Sequence, residues 1–169
     1  MAVATQTDRW RGSRAAGYAR AAAVLVLVVV VDQVTKHAVN AGIAPGAVHK
    51  LIPGLELVHV RNTGVAFSLF SGGGTLVLVI TLVALAGLAW YFARRPGRRL
   101  LWLPTGLLLG GAIGNLIDRV REGAVTDFIK LPHWPAFNVA DMAITFGVFA
   151  LLYTIEIGTR RQAREATDE

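Results

Sequence analysis

Apolar residues in this chain gather into four long runs separated by polar segments. The runs span Ala21 to Val39, Gly72 to Ala93, Leu100 to Ile117 and Val139 to Ile157. Each is close to the ~20 residues that carry a helix across the hydrocarbon core of a bilayer. Between the first and second runs, "LIPGLELVHVRNTGVAFSLF", from Leu51, has a Pro53-Gly54 turn followed by β-branched and aromatic residues in partial alternation. This predicts a short twisted sheet on the membrane surface. The segment "REGAVTDFIKLPHWPAF", from Arg121, is broken by Gly123, Pro132 and Pro135, and its Trp134 favours headgroup depth. The first run follows several arginines, as a secretory signal does, but "DQVTK" continues it in helical register, so it is expected to be a retained helix.

Composition fits this pattern: 54% of residues are hydrophobic, 17% are charged, and the mean hydropathy is +0.52. These values lie outside the range of soluble domains. The expected fold is a mainly α membrane protein, a bundle of four transmembrane helices with a small extracytoplasmic β-sheet between helices 1 and 2. Residues 1–20 are expected to form a basic cytoplasmic tail, unstructured to about Tyr18. Residues 21–157 are expected to form the membrane domain, with its sheet at about 48–70, and residues 158–169 a second tail. The net charge of +6 comes from basic residues at the ends of apolar runs, which points to topology rather than to nucleic acid. Eleven Lys and Arg flank one side, at the N-terminus, in "RRPGRR" and in the C-terminal tail; five lie on the other. The positive-inside bias then puts both termini in the cytoplasm and turns the segments from Asn40 to Ser71 and from Asp118 to Asn138 outward.

The chain has no cysteine, so thiolate nucleophiles, disulfides and Cys-rich metal sites are excluded. The chemistry that remains lies in polar residues at the edges of the runs, where a charge is costly. Asp32 and Lys36, four apart, share one helix face and read either as a structural ion pair or as a contact to substrate. Gly106, Gly110 and Gly114 form a small-residue ridge for close helix packing. Gly111, Asn115 and Asp118 recur on an adjacent stripe beside Arg119, as an interhelical network or as direct chemistry. Asp118, next to Arg119, is expected to stay ionised rather than act as an acid. Asp127, in "AVTDFI", has no cation within two positions, and desolvation should raise its pKa. Asp141 follows Asn138 into the first turn of the fourth helix, where the helix N-terminus stabilises negative charge. Two carboxylates in such unequal surroundings suit general acid and base work. With alternating helix directions, all these groups reach the same membrane face.

In order and spacing, "DQVTK", "RNTGVAFS", "GGAIGNLIDR", "VTDF" and "FNVADMAI" resemble the motifs of bacterial lipoprotein signal peptidase, or signal peptidase II, over about Ala21 to Ile157. The resemblance implies an aspartyl protease of the inner membrane with four spans and an extracytoplasmic β-cradle. It implies cleavage of the signal peptide from diacylglyceryl-modified prolipoproteins before the lipidated cysteine. It also implies that Asp127 and Asp141 are the catalytic pair, with Asp32, Lys36, Asn62, Gly111, Asn115, Asp118, Arg119, Asn138 and Ala140 binding substrate or stabilising the site. Two residues depart from the family pattern: Thr126, where Val is more frequent, and Met142, where Ser is common. No metal or cofactor is expected. The partners expected are the prolipoprotein and membrane lipids, without nucleic acid, for a monomeric enzyme. A metal-dependent hydrolase would need His37, His49, His59 or His133, yet no HExxH occurs. A proton-coupled transporter would spread ionisable groups through the membrane depth, and the second run has none.

Overall fold

The computed structural model describes residues 6–63, 73–94 and 100–165. In chain order these form α1 (Gln6–Gly42), β1 (Val48–Ile52), β2 (Leu55–Asn62), α2 (Gly73–Arg94), α3 (Trp102–Glu122), β3 (Val125–Lys130) and α4 (Val139–Glu165). The protein is mainly helical, and the four apolar runs coincide with its four helices. Two helical stretches, Arg14–Gly42 and Val139–Ile157, are long and apolar enough to cross a membrane. Their faces are lined with exposed Val26, Leu27, Val30, Phe149 and Leu152. A soluble protein would bury such stripes; here they suit lipid.

The helices meet through their small residues. A Cβ on Gly106 would lie 2.7 Å from the Ala21 carbonyl oxygen and from Val24 Cβ, and one on Gly110 would lie 2.8 Å from Val28 Cβ. A Cβ on Gly114 would lie 2.6 Å from Asp32 Oδ2. Ala21, Val24, Val28 and Asp32 follow one another at three- and four-residue steps, so the glycine ridge of α3 lies along a single face of α1. Gly111, on the neighbouring stripe, gives the same clearance to the Ala140 carbonyl at the start of α4. Each glycine costs about 1 kcal/mol in a helix interior, and close backbone approach offsets that cost.

The sheet differs from expectation in one respect that matters for the site. It is a three-stranded antiparallel sheet in the order β1-β2-β3, and its third strand comes from the segment between α3 and α4. The hairpin between α1 and α2 supplies only β1 and β2, joined by a turn in which Gly54 takes a φ of +85°. β3 pairs with β2 in a register that sets Val60 opposite Asp127, Arg61 opposite Thr126 and Asn62 opposite Val125. Asn62 is therefore a strand residue. Residues 64–70, which complete the expected cradle, and most of "RRPGRR" lie outside the described residues. The start of the chain also differs: expected to be unstructured to about Tyr18, it is helical from Gln6. At the other end α4 runs on past Ile157 to Glu165.

The packing yields a test. Gly110→Val should lower the thermal midpoint of the detergent-solubilised protein by an amount equivalent to about 1–3 kcal/mol of overpacking. Gly87→Ala, where an added Cβ meets nothing within 4 Å, should not lower it.

Candidate active site

Buried polar residues concentrate where the ends of α1, α3 and α4 meet β3. Asp32, Lys36, Asn115, Asp118, Thr126, Asp127 and Asn138 are all buried. Burial on this scale is tolerable only if every polar group finds a partner. No buried side-chain nitrogen or oxygen among the described residues lacks one.

Lys36 is at the centre. Its Nζ lies 2.8 Å from Asp32 Oδ2, 2.8 Å from Asp118 Oδ2 and 2.9 Å from Asn115 Oδ1, so each of its three N–H bonds has an acceptor. Asp32 uses its other oxygen to accept the Ala140 N–H at 2.9 Å, in the first turn of α4. Asp118 Oδ2 also accepts the Thr126 N–H of β3 at 3.2 Å. One ammonium thus joins α1 to α3 and, through the two carboxylates, to α4 and β3. The cation that Asp118 meets is Lys36 rather than Arg119. Adjacent helix residues point about 100° apart and do not face each other. The Arg119 guanidinium instead donates to the Asn115 carbonyl at 3.2 Å.

From Lys36 the hydrogen bonds run outward in one direction. Asn115 Oδ1 accepts from Lys36 and also from Asn138 Nδ2 at 3.1 Å, which fixes its amide so that Nδ2 donates to Asp141 Oδ1 at 2.8 Å. Asn138 caps α4. Its Oδ1 accepts the Asp141 N–H at 3.0 Å, and Asp141 Oδ2 accepts the Asn138 N–H at 3.2 Å, a reciprocal capping box. With Oδ1 committed to the cap, Asn138 Nδ2 is aimed at Asp127 Oδ1, 2.7 Å away. A single asparagine therefore touches both carboxylates. Asp127 Oδ2 accepts from Asn62 Nδ2 at 2.9 Å across the sheet.

The two acids have unequal surroundings. Asp141 receives an amide proton and a backbone N–H at a helix N-terminus, a position that stabilises negative charge. Asp127 is sealed between β2 and the helices, and its pKa is raised from 3.8 to about 6. Burial is the largest cause, and the nearby Asp141 charge adds to it. The Asn62 and Asn138 hydrogen bonds and the Lys36 charge pull the other way.

The structure brings together Asp32, Lys36, Asn62, Gly111, Asn115, Asp118, Asp127, Asn138, Ala140 and Asp141; Arg119 stands beside them. Two contributors escaped the sequence reading. Gln33 donates to Asp118 Oδ1 at 2.9 Å, to the Gly114 carbonyl at 3.2 Å and to Asp32 Oδ2 at 3.2 Å. Its one visible sign was an amide inside an apolar run. Asn40, one turn beyond Lys36 on the same face, accepts the Thr126 hydroxyl at 3.3 Å. The hydroxyl that sets Thr126 apart from the more frequent Val thereby has a partner. Met142 is 37% exposed. Among the described residues no group of three or more His, Asp or Glu converges as a metal site.

Comparison with known proteins settles the family. A model of Signal peptidase (SPase) II matches residues 24–157, which hold every group just described. The chain belongs to the signal peptidase II family. It is 42% identical over 142 residues to the lipoprotein signal peptidase of Moorella thermoacetica, covering 83% of this chain and 95% of that one. It is 38% identical over 133 residues to that of Thermodesulfovibrio yellowstonii, covering 76% and 89%. Two solved bacterial membrane enzyme structures share the fold at 33% identity. One has a TM-score of 0.75 and covers 80% of this chain and 91% of its own; the other has a TM-score of 0.74 and covers 82% and 88%. As a signal peptidase II this protein is an aspartic-type peptidase and a membrane protein.

The central ammonium can be tested by removal. Lys36→Met leaves two buried carboxylates without their cation and should destabilise the fold by about 3–5 kcal/mol in equilibrium unfolding. Adding Asp118→Asn to Lys36→Met should recover part of that loss. Equal stability of the single variant and the parent would show that Lys36 does not hold the cluster.

Proposed function

We propose that the protein cleaves the signal peptide from diacylglyceryl-modified prolipoproteins on the N-terminal side of the lipidated cysteine, with Asp127 and Asp141 as its catalytic residues. The observation that carries this reading is the pair itself. Two carboxylates from separate segments are gripped by one asparagine, one in surroundings that favour the proton and the other in surroundings that favour the charge. The names of the relatives support the substrate class.

In the proposed reaction Asp141, ionised, takes a proton from water, and the oxygen attacks the scissile carbonyl. Asp127, protonated, donates a hydrogen bond to the carbonyl oxygen and stabilises the tetrahedral intermediate. Collapse of the intermediate breaks the C–N bond, and the proton held by Asp141 passes to the leaving amine. Two nearby carboxylates hold one proton between them more cheaply than none. Asn62, Asn115 and Asn138 fix the two acids, while Asp32, Lys36 and Asp118 fix Asn115 and the start of α4. Gly111 and Ala140 supply the close contact between α3 and α4, and Arg119 stands at the edge for substrate.

The same reading places four helices across the inner membrane of a bacterium, both termini in the cytoplasm and the acids at the outer surface. The basic residues flanking the runs support this orientation. A diacylglyceryl group anchored in the outer leaflet would then hold the cysteine at the depth of the acids. The proposed active unit is the monomer, and it needs no metal.

Asp127→Asn and Asp141→Asn should each lower cleavage of a diacylglyceryl-modified precursor by at least ~10²–10⁴-fold, while a chelator leaves the parent unchanged. Full activity in either variant would remove that residue from the pair, and inhibition by chelator would point to metal. Activity of the parent should fall as pH rises through about 6 and Asp127 loses its proton. The Asn62 hydrogen bond lowers the Asp127 pKa, so Asn62→Ala should move that alkaline limb to higher pH.

A further inference from the structure

Two cavities along α3 share one residue. A groove of about 480 Å³ is lined by Ile113, Leu116, Ile117 and Val120 and ends at Arg121. These residues form one stripe of the helix, about 12 Å long at 1.5 Å per residue. Arg121 also lines a polar cleft of about 320 Å³ between the ends of α1 and α3. Gln33, His37 and Asn40 line it from one helix, Glu122 from the other, with Lys36 and Asp118 as its floor. An apolar trough and a polar cup that meet at one arginine near the end of α3 suit a lipid, with the chain in the trough and the headgroup in the cup.

The charges narrow the headgroup. Lys36 and Asp118 satisfy each other at 2.8 Å and leave the floor without a free cation. Among the described residues the Arg121 side chain has neither a hydrogen bond nor an ion pair, so its guanidinium is available as a phosphate donor. Asn40 accepts the Thr126 hydroxyl with its oxygen, and its amide carries two further N–H donors. Glu122 reaches a cation only at 3.9 Å, since Arg61 is held mainly by the Glu122 backbone carbonyl at 2.7 Å. A half-exposed pair at that separation is weak, so the carboxylate can take another cation. The cup therefore offers one cation and one anion side by side. That complements a zwitterion better than a net anion.

We propose that this groove and cleft bind a zwitterionic glycerophospholipid with a primary amine, an acyl chain along Ile113 to Val120, the phosphodiester at Arg121 and Asn40, and the ammonium at Glu122. The proposal rests on α3 lying in the bilayer and not on the peptidase chemistry, because binding is read without turnover.

Native mass spectrometry of the full chain released from detergent, after incubation with an equimolar mixture of dioleoyl phosphatidylethanolamine, phosphatidylglycerol, phosphatidylcholine and dioleoylglycerol, reads this directly. Phosphatidylethanolamine should be retained over the other three by about tenfold, as expected for charge-assisted hydrogen bonds. Arg121→Gln should abolish the preference. Val120→Trp, at a position 75% exposed and so free to accept a larger side chain, should fill the trough and lower retention of all four lipids. Glu122→Gln should erase the distinction between the ethanolamine and choline lipids. Equal retention of phosphatidylglycerol or of dioleoylglycerol in the parent, or a preference that survives Arg121→Gln, would overturn the proposal and leave only ordinary lipid contact.

Discussion

A buried ammonium has to be matched on every side, and the arrangement of this protein follows from how Lys36 is matched. Its three hydrogen bonds end on Asp32, Asp118 and Asn115, and each acceptor is tied onward to a different element. Asp32 holds the first turn of α4, Asp118 holds the backbone of β3, and Asn115 holds Asp141. A buried charge left without partners costs several kcal/mol, so none of these ties can be released alone. The glycine ridge of α3 makes the arrangement possible by letting the α1 backbone, and with it Asp32, come close enough to reach across.

That rigid frame sets the two acids apart in character while holding them near one asparagine. Both asparagine amides are oriented by commitments elsewhere: Asn115 by Lys36, Asn138 by the helix cap. Neither can flip without losing those bonds. The acids therefore meet donors that are already fixed, the preorganisation that the proposed catalysis requires. The cup beneath Arg121 lies on the reverse of the same frame, with the Lys36 and Asp118 pair as the wall between the two.

Much of this was legible in the chain. The four apolar runs announce the helices, and the four-residue step from Asp32 to Lys36 announces an ion pair. The Asn138 to Asp141 spacing places an acid in the first turn of a helix, and the absence of nearby cations around Asp127 predicts its raised pKa. What escaped reading involves pairings between distant segments. β3 was not recognised as a strand because its first four residues are all buried, which removes the polar-apolar alternation that marks a half-exposed strand. With it went the cross-strand reach of Asn62 to Asp127. The cation next to Asp118 in sequence is turned away by the helix, and Lys36 comes instead from α1, a pairing that no local spacing shows. The polar N-terminal stretch is helical although nothing in its polarity requires it; it continues a helix already nucleated by the apolar run, and extension costs far less than initiation.

The proposed chemistry depends on one proton residing on Asp127 while Asp141 carries the charge. Difference infrared spectroscopy of protein labelled with ¹³C-aspartate observes that proton as the carbonyl stretch of a neutral carboxylic acid. The expected spectrum has a band that disappears as pH is raised through about 6 and that is missing altogether from Asp127→Asn. A band unchanged in Asp127→Asn, or no neutral carboxyl below that pH, would contradict it.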